Sequence, residues 1–352
     1  MRNVLTAARA GEWWEHKLAP VLGTGYTTAF MLGASVAGTA GTLAVVLLAL
    51  LPGALYVSVL NDLTDREADR LAGKRNRLAG AAPGPWWAAV GAAVLAGAAI
   101  GALAWRDDPA VLAVYAGAWV AFALYSVPPV RLKGRGAAGV VADAAGAHLF
   151  PHLLVVAAVL AAAGRALGGA LAVAAGAWAL AHGLRGALWH QLADAEADAR
   201  SGLRTFGREH PELARRLGAY VAFPVEALAF AALLVAAGGA VAGALLPLYV
   251  LLELRRARRW GAEVVVVAPA RSPAYRIALN EFYVALYPLA FLVASSVRHP
   301  RDLLVLAVHV AVFPRTLARL ATDAYNELRH PRLPARAIPH AHEPHTAGPP
   351  SR

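Results

Sequence analysis

Apolar residues gather along the chain in unbroken blocks separated by short polar connections, and each block is long enough to cross a bilayer's hydrocarbon core as a helix. Nine such segments are predicted, roughly 18–37, 42–61, 86–104, 110–127, 139–162, 166–190, 213–237, 241–254 and 277–297. A tenth apolar stretch, 302–321, is interrupted by Pro314 and carries Arg315 and Arg319, so a second crossing and an interfacial helix both fit it. Ten-residue segments of alternating polarity, the pattern of a membrane β-barrel, are absent. The pattern predicts an all-α membrane protein of about nine transmembrane helices, with a possible tenth or interfacial helix. Its expected parts are an interfacial N-terminal segment at 1–17, an intramembrane domain at 18–297, an amphipathic or tenth helix at 298–329 and a disordered tail at 330–352.

Composition sharpens this reading. Hydrophobic residues are 59% of the chain and charged residues 16%, whereas soluble domains run nearer 45–50% and about 25%. The net charge of +11 could suggest nucleic acid, but its placement argues for membrane topology instead. Loops around 62–84, 128–138, 194–216 and 255–276 hold 19 lysines and arginines, against 4 in the loops on the opposite side. The positive-inside rule therefore makes the first set cytoplasmic, in the cell membrane, with no nucleic-acid partner. No cysteine occurs, which removes disulfides and thiolate metal sites. The first 17 residues carry Arg2, Arg9, Glu12, Glu15 and Lys17 and lack the apolar core of a cleavable leader, while Trp13 and Trp14 suit an interface.

Two stretches break the apolar pattern in the same way. Asn61-Asp62-Leu63-Thr64-Asp65-Arg66-Glu67-Ala68-Asp69 closes the second segment, and His190-Gln191-Leu192-Ala193-Asp194-Ala195-Glu196-Ala197-Asp198 closes the sixth. At an offset of 129 residues they match at leucine, both aspartates, glutamate and alanine, and then at Gly73/Gly202. If the first helix runs on, Asp62, Asp65 and Asp69 share one face at i, i+3 and i+7. Carboxylates at a membrane edge are costly and face a cavity or partner. A single copy reads equally well as a salt-bridged helix end, but two copies on one side match what a diphosphate carried by Mg²⁺ needs. Their spacing implies two four-helix halves in parallel repeat.

A third stretch, Tyr125-Ser126-Val127-Pro128-Pro129-Val130-Arg131-Leu132-Lys133-Gly134-Arg135-Gly136, places cations on the acidic face. Arg131 can hold phosphate through two bonds and Lys133 as a point charge, though the loop alone reads as a topological signal. Lys74, in the loop after the first acidic stretch, is a further candidate for binding substrate.

Together the three stretches resemble the UbiA superfamily of intramembrane prenyltransferases. Asn61, Asp62, Asp65 and Asp69 match its N-D-x-x-D-x-x-x-D motif; Asp194, Asp198, Gly202, Arg204 and Thr205 match its second acidic motif and the G-x-R-T that often follows. Tyr125 through Lys133 match Y-S-x-P-P-x-R-x-K. Many members continue the first motif with N-R-P, whereas here Asn76-Arg77 precedes Leu78. The resemblance covers roughly residues 10–297. It implies nine helices around a central cavity, with Mg²⁺ held by Asp62, Asp65, Asp69, Asp194 and Asp198. Asn61, Lys74, Arg131, Lys133, Arg204 and His190 would bind substrate, and Tyr125 would lie near the allylic carbon, in a catalytic set with Asp62, Asp65 and Asp194. The expected partners are an isoprenyl diphosphate, a hydrophobic acceptor of the quinone-precursor kind and membrane lipid.

The acceptor pocket is less legible. Asp143, His148 and His152 in the fifth segment, and His182, Arg185 and His190 in the sixth, read either as a polar seam between helices or as the source of a base. Asn280, Glu281 and Tyr283 are weaker candidates. A terpene cyclase using the same site without an acceptor is the alternative activity, and a cation- or proton-coupled secondary transporter is a more distant one.

Overall fold

The computed structural model describes residues 13–268 and 275–329. Helices dominate them: α1 (Ala19–Met31), α2 (Ala40–Thr64), α3 (Arg66–Ala72), α4 (Pro83–Trp105), α5 (Pro109–Ser126), α6 (Ala137–Ala162), α7 (Gly169–Ala193), α8 (Ala195–Ser201), α9 (Pro211–Ala236), α10 (Ala240–Trp260), α11 (Phe282–Arg298), α12 (Asp302–Val312) and α13 (Pro314–Arg329). Five-residue π turns interrupt α6 at Ala145–Leu149 and α9 at Gly218–Ala222, and another opens α11 at Phe282–Leu286. Among the described residues, six helices are long and apolar enough to cross a membrane, and seven if the bent pair α12–α13 counts as one crossing. The other three predicted spans form shorter or more charged helices. α1 has 13 residues, α11 is a shorter apolar helix, and α10 ends in Glu253, Arg255, Arg256, Arg258 and Arg259. The tail from residue 330 lies outside the described residues.

One compact unit comprises residues 40–233. Tyr115 donates to the Ala49 carbonyl at 3.0 Å, tying α5 to α2. Each acidic stretch rests on its own apolar cluster. Under the first lie Tyr56, Val59, Leu60, Leu63, Leu78, Val90 and Ala93. Under the second lie Val140, Ala187, Leu188 and Ala214. α6 and α7 cross so closely that a side chain at Gly183 would meet the backbone of Ala144 at 2.9 Å. Small residues at such crossings substitute for the hydrophobic driving force that lipid cannot supply.

The second unit comprises residues 14–39 together with 234 onward. It contains an element that hydropathy does not reveal, a parallel two-stranded pair in which β1 (Glu263–Val265) registers against β2 (Tyr275–Ile277). Buried ion pairs hold this region. Arg276 meets Glu253 at 3.2 Å, Glu281 at 2.7 Å and Asp323, while Arg256 meets Glu253 at 2.8 Å and Glu327 at 3.2 Å. Glu15, expected to lie in the interface, is buried; its carboxylate accepts the backbone N–H groups of Arg315 and Thr316, capping α13. α12 and α13 meet at Phe313–Pro314 with a bend of 83°.

Candidate active site

All three sequence stretches fall in the 40–233 unit, and its local geometry is duplicated. α2 does not run on as expected: it breaks at Asp65 (φ −104°, ψ 0°), and α3 begins at the next residue. The second copy breaks the same way at Asp194 (φ −91°, ψ 1°) before α8. Each short helix ends in a left-handed glycine, Gly73 at φ 68° and Gly202 at φ 71°, a conformation that other residues adopt at a cost. The closing bonds match as well: Lys74 N–H donates to the Asp69 carbonyl at 2.8 Å, and Leu203 N–H to that of Asp198 at 3.0 Å. α3 and α8 pack against each other, and Arg200 Nε reaches the Ala72 carbonyl at 3.1 Å.

The cations converge on these acids. Lys74, from the first copy, reaches Asp194 at 2.9 Å and Asp198 at 3.7 Å in the second. Arg131 Nη2 donates to Asp65 at 3.0 Å, and Lys133 pairs with the same carboxylate oxygen. Arg131 itself is left-handed (φ 35°), a strained backbone for a residue with a side chain, and strain of this kind gathers at functional sites. Gly139 lets the Lys133 backbone pack on α6, since a Cβ there would lie 2.9 Å from the Lys133 Cα. Gly136 pairs with Thr205, joining the cationic loop to the segment after the second motif.

The remaining predicted residues divide into those the site gathers and those it does not. Asp62 is buried, and its carbonyl accepts from Asn76 Nδ2 at 2.8 Å; the same amide donates to the Asp69 carboxylate at 2.8 Å. Asn76 Oδ1 accepts from Leu78 N–H at 2.9 Å. A proline at 78, frequent in the family pattern, could not make that bond. Asn61 Oδ1 accepts from Ser126. Asp198 accepts from Thr205 at 2.9 Å. Burial pushes the Asp69 and Asp198 carboxyls up, against the hydrogen bonds of Asn76 and Thr205. Burial also pushes the Lys133 ammonium down, against the pull of Asp65. Arg204 and His190 are exposed, and Arg204 pairs with Glu209 rather than with the acids.

Among the described residues no three acidic or imidazole groups form a metal cage by themselves. The donors are hard oxygens on two facing segments, which suits Mg²⁺: it needs one or two carboxylates and takes the rest from water and phosphate. The Arg131 Nε is buried without a partner among the described residues, a spare donor of the kind a phosphate oxygen satisfies.

A second polar cluster lies within the spans. Arg185 grips Glu226 through two bonds of 2.6 and 2.7 Å, and His182 Nδ1 lies 3.4 Å from the same carboxylate. His148 meets His182 edge-on at 5.1 Å between ring centroids. Glu226 is missing from the sequence reading. Its signal was available: a lone carboxylate deep in an apolar span requires a partner, and Arg185 is the one arginine of its own span, 166–190.

The fold and site define an integral membrane protein with duplicated acidic helix ends and a cationic loop paired with them. The sequence profile of the UbiA prenyltransferase family matches residues 21–259, so the chain belongs to that family and is a prenyltransferase. The fold is similar to solved structures of a UbiA homolog from Archaeoglobus fulgidus. The form bound to GPP and Mg²⁺ is 21% identical, with a TM-score of 0.52 over 88% of this chain and 99% of that one. The form bound to DMAPP and Mg²⁺ is 21% identical, with a TM-score of 0.55 over 84% and 99%. A third, bound to Cd²⁺, is 18% identical, with a TM-score of 0.55 over 83% and 98%. No curated protein matches the chain.

Proposed function

We propose that the chain transfers an isoprenyl group from an isoprenyl diphosphate to a lipid-soluble, quinone-precursor-like acceptor within the membrane, with Mg²⁺ as cofactor. The observation that carries this reading is the crossing of charges between segments: Lys74 of the first copy on Asp194 and Asp198 of the second, and Arg131 and Lys133 on Asp65. Asp62, Asp65, Asp69, Asp194 and Asp198 would hold the metal. When bound, Mg²⁺ neutralises the diphosphate and stabilises it as a leaving group. Arg131, Lys133 and Lys74 are donors aimed where that negative charge develops, and such preorganised donors contribute most in a water-poor site. Apolar helices around them exclude the water that would otherwise capture the allylic cation.

Counting α1, α10 and α11 as crossings gives nine spans, in two four-helix repeats and a ninth helix. The loop charges support a cytoplasmic site in the cell membrane. Single cysteines at Gly73 and Gly202 would then be labelled only from the cytoplasmic side, and labelling from opposite sides would rule out a shared site. The activity is tested by incubating purified protein with labelled prenyl diphosphates, Mg²⁺ and a membrane extract, and identifying products by mass. A prenylated extract component is expected. A cyclic product from the diphosphate alone would mean cyclisation, and no conversion of any donor would overturn the proposal.

A further inference from the structure

Asp143 differs from the paired aspartates of the two acidic stretches. It lies six residues into α6, about 9 Å along the helix from its start at Ala137, inside a span and partly exposed. Among the described residues no hydrogen bond or ion pair reaches its carboxylate, although a carboxylate at this depth in a membrane is costly without a partner. Asp65, Asp69, Asp194, Asp198 and Glu226 are all paired or hydrogen-bonded.

Its surroundings connect it to the reaction centre. α5 packs on α6, and the Tyr125 hydroxyl lies within electrostatic reach of Asp143, Asp65, Asp198 and Asp194. Tyr125 is the penultimate residue of α5, so it sits at the edge where the acids and the cationic loop gather. Its hydroxyl also lacks a hydrogen-bond partner among the described residues. A tyrosine and a carboxylate without hydrogen-bond partners, on packed helices next to the acidic motifs and the cationic loop, leave polar atoms for a ligand to satisfy.

We propose that Asp143 is the acceptor-facing carboxylate of the transfer reaction, taking as its ligand an acceptor that presents a phenolic or alcoholic O–H. This rests on the prenyl-transfer reading above. In the step, the bond between prenyl C1 and the diphosphate oxygen breaks and its electron pair leaves with the diphosphate. The acceptor's oxygen, or a carbon of its ring, forms the new bond to C1, and the proton displaced from that atom passes to the Asp143 carboxylate. Nothing in this step asks Asp143 to hold the donor.

Those separate duties give a test that distinguishes the two readings. Full-length protein in detergent is given a labelled prenyl diphosphate, Mg²⁺ and a total membrane-lipid extract, and two products are followed: prenylated acceptor and prenyl alcohol from capture by water. Asp143→Asn is expected to lower prenylated acceptor about a hundredfold, the usual contribution of a positioned base. Prenyl alcohol release and the KM for the diphosphate should stay within about twofold. Asp143→Glu should restore transfer to within about tenfold of wild type. If Asp143→Asn loses its thermal transition, Asp143→Ser is read in the same way. A wild-type ratio of the two products in the Asn or Ser variant would overturn the proposal, as would equal loss of both. If wild-type protein converts no donor at all, the prenyl-transfer reading fails instead.

Discussion

The two acidic stretches share a backbone and divide the chemistry unequally. Both break at the first of the aspartates they share, Asp65 and Asp194, run through a seven-residue helix and close on a left-handed glycine. Their side chains then diverge. Asp65 is held by two cations from the 125–136 loop, Arg131 and Lys133. Asp194 is held by Lys74, which comes from the other copy. The position of Asp62 is taken in the second copy by Gln191, whose Oε1 accepts the Gly207 N–H at 3.0 Å. The first copy has a carboxylate at this position, and the second has an amide that holds its own loop. The backbone geometry repeats between the two stretches, whereas their side-chain partners differ.

The largest expected effect tests whether the copies share one centre. Asp65→Asn and Asp194→Asn should each lower turnover by at least about a hundredfold, the usual loss on removing one oriented electrostatic group, while thermal melting in detergent stays near wild type. A loss confined to one copy would break the equivalence of the two breaks.

Restoring symmetry at the divergent position should do harm. Gln191→Asp shortens the side chain and leaves the buried Gly207 N–H unsatisfied, a cost of about 1–3 kcal/mol that lowers the melting temperature without raising activity. An active, more stable variant would mean that Gln191 is a lost ligand rather than a structural residue.

A smaller effect separates a phosphate clamp from a loop that only sets orientation. Arg131→Lys and Lys133→Arg keep the charge, so topology is unchanged. Lysine lacks the planar fork and arginine is too long for a site shaped to an ammonium. Each swap should slow turnover roughly tenfold, about 1.4 kcal/mol of transition-state stabilisation. Wild-type rates at low diphosphate would return the loop to a topological role.

The motifs were legible because polar residues in an apolar run stand out, and the offset of 129 residues made their repetition visible. The partners were less so. That Lys74 serves the second copy, or that Glu226 meets Arg185, depends on which helices become neighbours, and hydropathy carries no such information. The break at Asp65 escaped periodicity because the helical hydrogen bonds run through it: Asp65 N–H still reaches Asn61, and Asp69 N–H still reaches Asp65. The paired strands after α10 are three residues each, too short for alternation to register. Arg204 matches the motif, and its side chain pairs at the surface with Glu209, a partner the motif does not specify.

The most direct measurement is equilibrium binding of an unreactive prenyl thiodiphosphate to wild type, Asp65→Asn, Asp194→Asn and the double variant, each with and without Mg²⁺. If both copies serve one diphosphate, wild-type binding requires Mg²⁺, each single variant weakens it, and the double variant loses measurably less than the sum of the two single losses, because the acids act through one ligand. Binding that is indifferent to Asp194→Asn, or equally tight without Mg²⁺, would contradict a shared metal-diphosphate site.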